Sequence, residues 1–272
     1  MTIQEKINSL REELNAHNYN YYVLDNAIIS DFDFDIKLKE LEKLEKENPD
    51  FFDENSPTQR VGGIVTKNFE TTTHQNRMYS LDNSYSKEDL LDWETRIRKN
   101  IGDEKLHFFC ELKYDGASIS LTYHNGKLVR AITRGDGTQG DDVAQNVSTI
   151  RSHRKKLSKP SLDAFEIRGE IFIHRAGFEK LNNERVLKGQ PTYANPRNLA
   201  SGSLKMKDAM EVAKRPLDII LYHLLTDDRT FDTHWQSLQE AKSWGIKTAE
   251  SSRLCRNSWR RRSRCCATVR PR

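Results

Sequence analysis

Cysteine is scarce in the body of this chain. Three of its four cysteines (Cys255, Cys265, Cys266) lie beyond residue 250, leaving only Cys110 before it. No Cys/His spacing resembles a zinc site, so neither a metal framework nor a disulfide scaffold is expected, and a lone body cysteine suits a reducing compartment. Long apolar runs are also missing, which argues against a bilayer-spanning segment. The opening Met1-Thr2-Ile3-Gln4-Glu5-Lys6 lacks the apolar centre of a signal peptide and enters a helical pattern at once. The chain therefore reads as soluble and cytoplasmic, and the sequon Asn146-Val147-Ser148 carries no consequence. A basic surplus is missing too, despite a formal net charge of +4. Eight arginines stand in residues 251–272 with no lysine or acid, so the body carries 36 basic against 40 acidic residues and is net −4. A basic nucleic-acid patch cannot be argued from that total.

What is present divides into segments. The 272 residues suffice for one sizeable core and a small satellite domain. Residues 2 to 48 predict two helices. Ile3, Ile7, Leu10 and Leu14 form one apolar stripe, Asn20 to Ile29 connects, and Ser30-Asp31-Phe32-Asp33 has the Ser-x-x-Asp form of a capping box. Leu38, Leu41 and Leu44 supply the second helix's core face, and a helical hairpin is the natural packing. Asn48-Pro49-Asp50 stops that helix, and Ser56-Pro57-Thr58 with Gly62-Gly63 reads as a linker. A helix over Lys87–Lys99 follows, preceded by Ser86. Strands are predicted at His107–Leu112, Ala117–Tyr123, Lys127–Thr133, Phe165–Ile173 and Leu217–Leu224, with a hairpin at His124-Asn125-Gly126. Antiparallel hairpins interleaved with helices place the chain in the α+β class. The domains are drawn at residues 1–60, 61–250 and a basic tail, 251–272, read as a disordered or non-family segment unable to complete a sheet, with a basic DNA-binding tail as the alternative.

Lys113 carries the chemistry. It stands in Cys110-Glu111-Leu112-Lys113-Tyr114-Asp115-Gly116, with Phe108 to Cys110 as a buried strand edge and Asp115-Gly116 as a turn that presents the lysine. A nucleophilic lysine must be desolvated or set among other cations, since the free amine titrates near pKa ~10.4. A surface lysine beside an Asp-Gly turn is the plain alternative. Further polar clusters stand at strand ends. Arg134-Gly135-Asp136-Gly137-Thr138-Gln139-Gly140 is either a Gly-rich turn or a cradle for phosphate or ribose. Glu166, Arg168 and Glu170 share one face of a strand and, by the usual rule for such a face, are expected to be solvated. Asn195-Pro196-Arg197-Asn198 sets an arginine at a helix mouth, a position that favours anions.

Taken together, Lys-x-Asp-Gly, the Arg-Gly-Asp-Gly loop, the Arg-Gly-Glu strand and Asn-Pro-Arg-Asn occur in the order and spacing of the bacterial NAD+-dependent DNA ligases. The resemblance covers roughly residues 1–250 and includes Ser56-Pro57-Thr58-Gln59-Arg60-Val61-Gly62 and Met78-Tyr79-Ser80-Leu81-Asp82-Asn83. Lys-x-Asp-Gly is shared with ATP-dependent ligases and capping enzymes. The helical pair is what singles out the NAD+ enzymes, since it resembles a domain that only they carry. The resemblance implies an N-terminal helical domain that binds nicotinamide mononucleotide (NMN), followed by an incomplete nucleotidyltransferase domain, ATP-grasp-like, of antiparallel sheets with helices. It implies that Lys113 attacks the α-phosphorus of NAD+, forming lysyl-AMP and releasing NMN, on the way to sealing nicks in double-stranded DNA during replication and repair, with Mg2+ screening the phosphates. Asp115 would orient the lysine and meet the ribose. Glu111 would hold the adenine side, with Ser80 and Leu81 lining that pocket. Arg134, Glu170 and Arg197 would surround the ribose and phosphates, and Tyr21, Tyr22, Asp31, Phe34 and Asp35 would grip the NMN half. Asp31 and Asp35 are i, i+4 on one helix face, with Phe34 read beside them as an aromatic surface for a flat cationic ring.

The chain departs from the family at Tyr22 (often His), Phe34 (often Tyr) and Lys205 (more often Arg, a planar fork in place of a point charge). The family's downstream lysine strands, OB-fold, four-cysteine zinc module, helix-hairpin-helix repeats and BRCT domain are not found in this sequence. Two further readings follow. One is a catalytically incomplete NAD+-binding fragment of such a ligase, a monomer with weak or no DNA affinity. The other is an ATP- or GTP-using nucleotidyltransferase, for which the helical pair would have no purpose.

Overall fold

The computed structural model describes residues 2–22, 28–53, 56–59, 69–102, 106–153, 157, 160–249 and 253–256. Helices α1 (Ile3–Tyr22) and α2 (Asp31–Glu47) form the predicted pair. Ile7, Leu10 and Leu14 pack on Leu41, with Phe34, Leu38, Leu44 and Phe51 against them. Ser30 caps α2 by accepting from Asp33 N at 3.1 Å, and its hydroxyl donates to the Asp33 carboxylate at 2.6 Å. A polar clasp closes the other end. Arg11 donates to Glu45 (2.8 Å) and to the Phe51 carbonyl (2.6 Å), while Ser56 and Thr58 donate to the same glutamate at 2.6 and 2.5 Å. Burial pushes the Glu45 pKa up, but these donors outweigh it and hold the carboxyl below its usual range.

The rest is α+β. In chain order it comprises β1 (Thr71–Thr73), α3 (Lys87–Ile101), β2 (His107–Cys110), β3 (Ala117–His124), β4 (Lys127–Thr133), β5 (Gln139–Asp141), α4 (Ala144–Val147), β6 (Ala164–Ile173), α5 (Arg175–Leu187), α6 (Pro196–Leu204), α7 (Ala209–Ala213), β7 (Leu217–Leu225), α8 (His234–Ser243) and β8 (Arg253–Arg256). The central sheet is antiparallel in the order β4-β3-β6-β7. The turn between β3 and β4 uses Asn125 and Gly126, both at positive φ (48° and 72°), the hairpin geometry that an Asn-Gly pair favours. One sheet face is apolar: Ile119, Leu121, Ile167, Ile171 and Ile219 join Leu199, Leu204, Val212, Ala241 and Trp244 from the helical segments in one core. The other face carries Ser118 and Ser120 of β3 and Glu166, Arg168 and Glu170 of β6.

Three expectations are corrected by the structure. The charged face of β6 is not solvated. Glu166, Arg168 and Glu170 are only 5%, 8% and 7% exposed. Burial is tolerated because partners replace water. Glu166 accepts from Ser120 Oγ (2.8 Å), Arg168 Nε (2.7 Å) and Asn76 Nδ2 (3.0 Å), and Arg168 donates to the carbonyls of Asn76 (2.6 Å) and Arg77 (3.1 Å). Second, the start of the arginine-rich tail does complete a sheet. Arg253–Arg256 pairs antiparallel with β2, Phe108 opposite Cys255 and Phe109 opposite Leu254. Strand pairing is made by backbone N–H and C=O groups, which arginine and cysteine supply as any residue does. Residues 257–272 lie outside the described residues. The predicted strand at His107–Leu112 also ends two residues early, at Cys110, so that Glu111 to Asp115 leave the sheet.

Asp218 fastens one end of β7. Its carboxylate accepts from Lys247 Nζ (2.6 and 2.7 Å) and Ser152 Oγ (2.5 Å) and lies 2.6 Å from His174 Nε2. Burial raises its pKa, but these contacts prevail and depress it to about 2. A depressed carboxylate contributes stability above its unfolded pKa and loses it as pH falls through the folded one. Urea unfolding from pH 5 to pH 2 should therefore show wild type losing on the order of 2 kcal/mol more than Asp218→Asn. Parallel losses in the two proteins would refute the assignment.

Candidate active site

Lys113 is presented by the residues around it. Phe108 is buried, its ring 5.5 Å from that of Trp93 on α3. Tyr114 turns inward to pack its ring, tilted by 34°, on Phe172 at 5.2 Å, joining Ile220 and Ala249. Lys113 and Asp115, on either side of that inward ring, are exposed. Gly116 explains the motif's glycine: a Cβ there would lie 2.1 Å from the Ile171 carbonyl oxygen, so only a residue without a side chain lets the start of β3 meet β6.

Several elements converge on Glu170. It is buried, accepts from Ser118 Oγ at 2.7 Å, and feels the cations Arg197, Arg134 and Lys113. Burial is the larger influence and raises its pKa; the hydroxyl and the three cations work against that rise. These charges come from four separate parts of the chain: the coil after β2, the loop after β4, the strand β6 and the mouth of α6. Asp115 completes the group, its Oδ1 3.5 Å from Arg197 Nε. Arg197 is set in place by Asn195, whose side chain caps α6 by accepting from the backbone N–H of Arg197 (2.7 Å) and Asn198 (3.3 Å). Lys113 is exposed rather than desolvated, so what the structure supplies around it is neighbouring charge.

Tyr222 of β7 belongs to the same group and escaped the sequence reading. Burial and then the Glu170 charge raise its pKa, and the Ser118 hydroxyl works against that rise. Its signal was there: a single tyrosine in the apolar run Leu217-Asp218-Ile219-Ile220-Leu221-Tyr222.

Glu111, two residues before Lys113, has its Oε2 3.1 Å from Nε2 of His234. The loop bearing Ser80 and Leu81 is rooted in the site: Arg168 bonds the Asn76 and Arg77 carbonyls, and Met78 N donates to Gly137 O at 2.8 Å. Ser80 and Leu81 themselves are exposed, Leu81 to 75%.

On the helical pair, Asp35 faces this second part of the chain. It accepts from Asn83 Nδ2 at 2.5 Å and from the Tyr85 hydroxyl. The Tyr85 ring meets Phe32 edge-on at 5.1 Å, with Lys39 Nζ 4.8 Å from its centre. Phe34 does not share that face as expected. It packs on the α1–α2 core, because its position continues the apolar stripe of Leu38 and Leu41. Phe32 is the aromatic beside Asp35. Tyr21 and Tyr22 close α1 and Asp31 opens α2; their side chains lie outside the described residues.

Lys205, the C-cap of α6, pairs with Asp141, 2.8 Å from Nζ to Oδ2, where Asp141 is fully buried. Among the described residues, no group of three or more His, Cys, Asp or Glu side chains could hold a metal ion. No helix among them is long and apolar enough to cross a membrane.

Comparison with known proteins matches the sequence to a family. Residues 66–267 match the NAD-dependent DNA ligase adenylation domain, and residues 1–62 match the DNA ligase-like, N-terminal NAD+-binding domain. The chain is 62% identical over 257 residues to a DNA ligase of Flavobacterium psychrophilum, covering 94% of this chain and 39% of that protein. It is 61% identical over 254 residues to a DNA ligase of Flavobacterium johnsoniae (93% and 38%) and 50% identical over 256 residues to one of Bacteroides fragilis (94% and 38%). The chain thus spans about two-fifths of the length of the curated relatives it matches.

The Lys205–Asp141 pair generates a test. Removing the cation leaves a charge buried without its partner, so Lys205→Ala should lower the unfolding free energy by about 3–5 kcal/mol. Lys205→Arg, which keeps the charge, should lose much less. Urea denaturation of both variants measures the difference, and equal losses would show that the ion pair is not what matters there.

Proposed function

The chain belongs to the NAD-dependent DNA ligase family, and from that premise we propose that Lys113 is its adenylate acceptor. In this reading the neutral Nζ attacks the α-phosphorus of NAD+. A phosphorus–nitrogen bond forms, the pyrophosphate P–O bond breaks, NMN departs with the electron pair, and the amine's proton passes to solvent. The observation that carries the reading is the convergence of Lys113, Arg134 and Arg197 on the buried Glu170. Two arginines beside the lysine suit a reaction whose substrate and transition state spread negative charge over phosphate oxygens. Asp115, close to Arg197, is placed to orient Lys113 and meet the ribose. Glu111, with Ser80 and Leu81, takes the adenine side.

Asp35 is assigned to the NMN half together with Tyr21, Tyr22 and Asp31. Its carboxylate accepts from Asn83 and Tyr85 in this structure, so a ribose hydroxyl would replace bonds already made. Phe34 is given the indirect part of fixing the rotation of α2 through its packing. Mg2+ is the one further group the reading requires, and it usually binds through one or two carboxylates plus substrate phosphates. Asp115, exposed beside the phosphate-facing cations, is the carboxylate that fits. The ion would screen phosphate charge there.

Joining 3′-hydroxyl and 5′-phosphate ends at nicks in double-stranded DNA is proposed for the longer proteins of this family, with the present chain contributing self-adenylation as a cytoplasmic monomer. A second reading, binding of NAD+ without turnover, is favoured by the chain's two-fifths coverage of its relatives. Incubation with adenylate-labelled NAD+ and Mg2+, followed by a denaturing gel, separates the two. Label on wild type and none on Lys113→Ala is the expected outcome. Absence of label from both NAD+ and ATP would favour the second reading, and better labelling by ATP would overturn the choice of donor. Asp35→Ala should reduce labelling at limiting NAD+ by about tenfold or more, the worth of a charged hydrogen bond.

A further inference from the structure

His234 is assigned no part above, yet it is built into the site. Its place is fixed from three directions. Thr233 caps α8 by accepting from Gln236 N at 3.2 Å, and the Gln236 side chain accepts from Thr233 N at 3.1 Å, so the helix mouth is locked. The imidazole meets the ring of Phe109 edge-on at 5.1 Å and lies 5.9 Å from that of His223 on β7. Its Nε2 stands 3.1 Å from Glu111 Oε2, across 123 residues of sequence. Burial, His234 and Arg168 push the His223 pKa down, against a smaller pull upward from Glu166 and Glu111.

Glu111 needs such a hold. It lies in the coil after β2, where no strand fixes its backbone. Its side chain is 22% exposed, and that of His234 is 35% exposed. With Oε2 engaged by His234, Oε1 has no protein partner among the described residues. We propose that His234 is a positioning residue that pins Glu111 through Oε2, leaving Oε1 to accept from the exocyclic amino group of the bound base, so that the pair selects 6-amino over 6-oxo purines. The inference rests on the reading of Glu111 as the adenine-side group. The chemistry is one-sided: an ionised carboxylate only accepts, so it rewards an amino group and repels a carbonyl oxygen in the same place. A carboxylate free to rotate would lose that discrimination. For the hold to form, the Nε2 of His234 carries its proton.

The test is equilibrium binding of NAD+ and of its hypoxanthine analogue, in which the amino group is replaced by oxygen. It is carried out by calorimetry on the full chain as wild type, His234→Phe and His234→Gln. The Phe variant keeps a ring against Phe109 but has no donor, whereas the Gln variant keeps an N–H donor. Wild type should prefer the adenine dinucleotide by about tenfold or more. The Phe variant should narrow the preference to below about threefold, and the Gln variant should restore most of it. A purely structural residue would shift melting temperature without altering this ratio. Wild-type discrimination retained by His234→Phe would overturn the proposal, as would a wild type that binds both dinucleotides equally. A wild type that binds neither would overturn the proposed function itself, and this inference with it.

Discussion

Charged groups can lie inside a protein only if other polar groups take the place of water, and β6 places three of them there in succession. Glu166, Arg168 and Glu170 occupy one face of a central strand whose other face is the apolar core, so both sides of that strand are enclosed. Satisfying them recruits much of the molecule. Ser118 and Ser120 come from β3, Asn76 and the carbonyls of Asn76 and Arg77 from the segment after β1, and the charges of Arg134 and Arg197 from the loop after β4 and the mouth of α6. Loss of one member would strand the rest, and unpaired buried charge costs several kcal/mol. The site and the fold therefore draw on one network.

That network explains why a chain whose body, before residue 251, has no basic surplus can still suit a dinucleotide's phosphates. Local charge counts there, not the total. Arg134 and Arg197 add their field to that of Lys113 where Glu170 is deeply buried, while acids elsewhere on the surface are separated from the site by water and salt. Asp35 shows the same economy at the helical pair. The carboxylate proposed for the ligand already holds Asn83 and Tyr85, so the two parts of the chain meet through a group that the substrate would contest.

Much of this was legible in advance. β4 runs over the predicted residues, β3, β6 and β7 differ by a residue or so at their ends, and the Asn125-Gly126 turn and the Ser30 cap are where their local chemistry places them. Lys113, Arg134, Glu170 and Arg197 were each read as candidates and do converge. The misses share a cause. Phe34 and Phe32 are two positions apart on α2, and which of them meets the hairpin core depends on where α1 packs. The burial of the β6 charges depends on a segment some ninety residues away. The pairing of Arg253–Arg256 with β2 depends on backbone groups that no composition reveals. Tyr222 and His234 looked like one residue each in an apolar strand and a helix mouth.

The sequence alone therefore determined the periodic elements with their turns and caps. Each of those follows from interactions a few residues long, such as apolar spacing, side-chain caps and the φ freedom of Asn-Gly. The tertiary structure decided which charges are buried, which aromatic faces the second domain, how the arginine-rich segment is used, and which histidine reaches Glu111. Those outcomes turn on desolvation and on contacts between residues tens to more than a hundred positions apart, and such energies do not exist until the chain has folded.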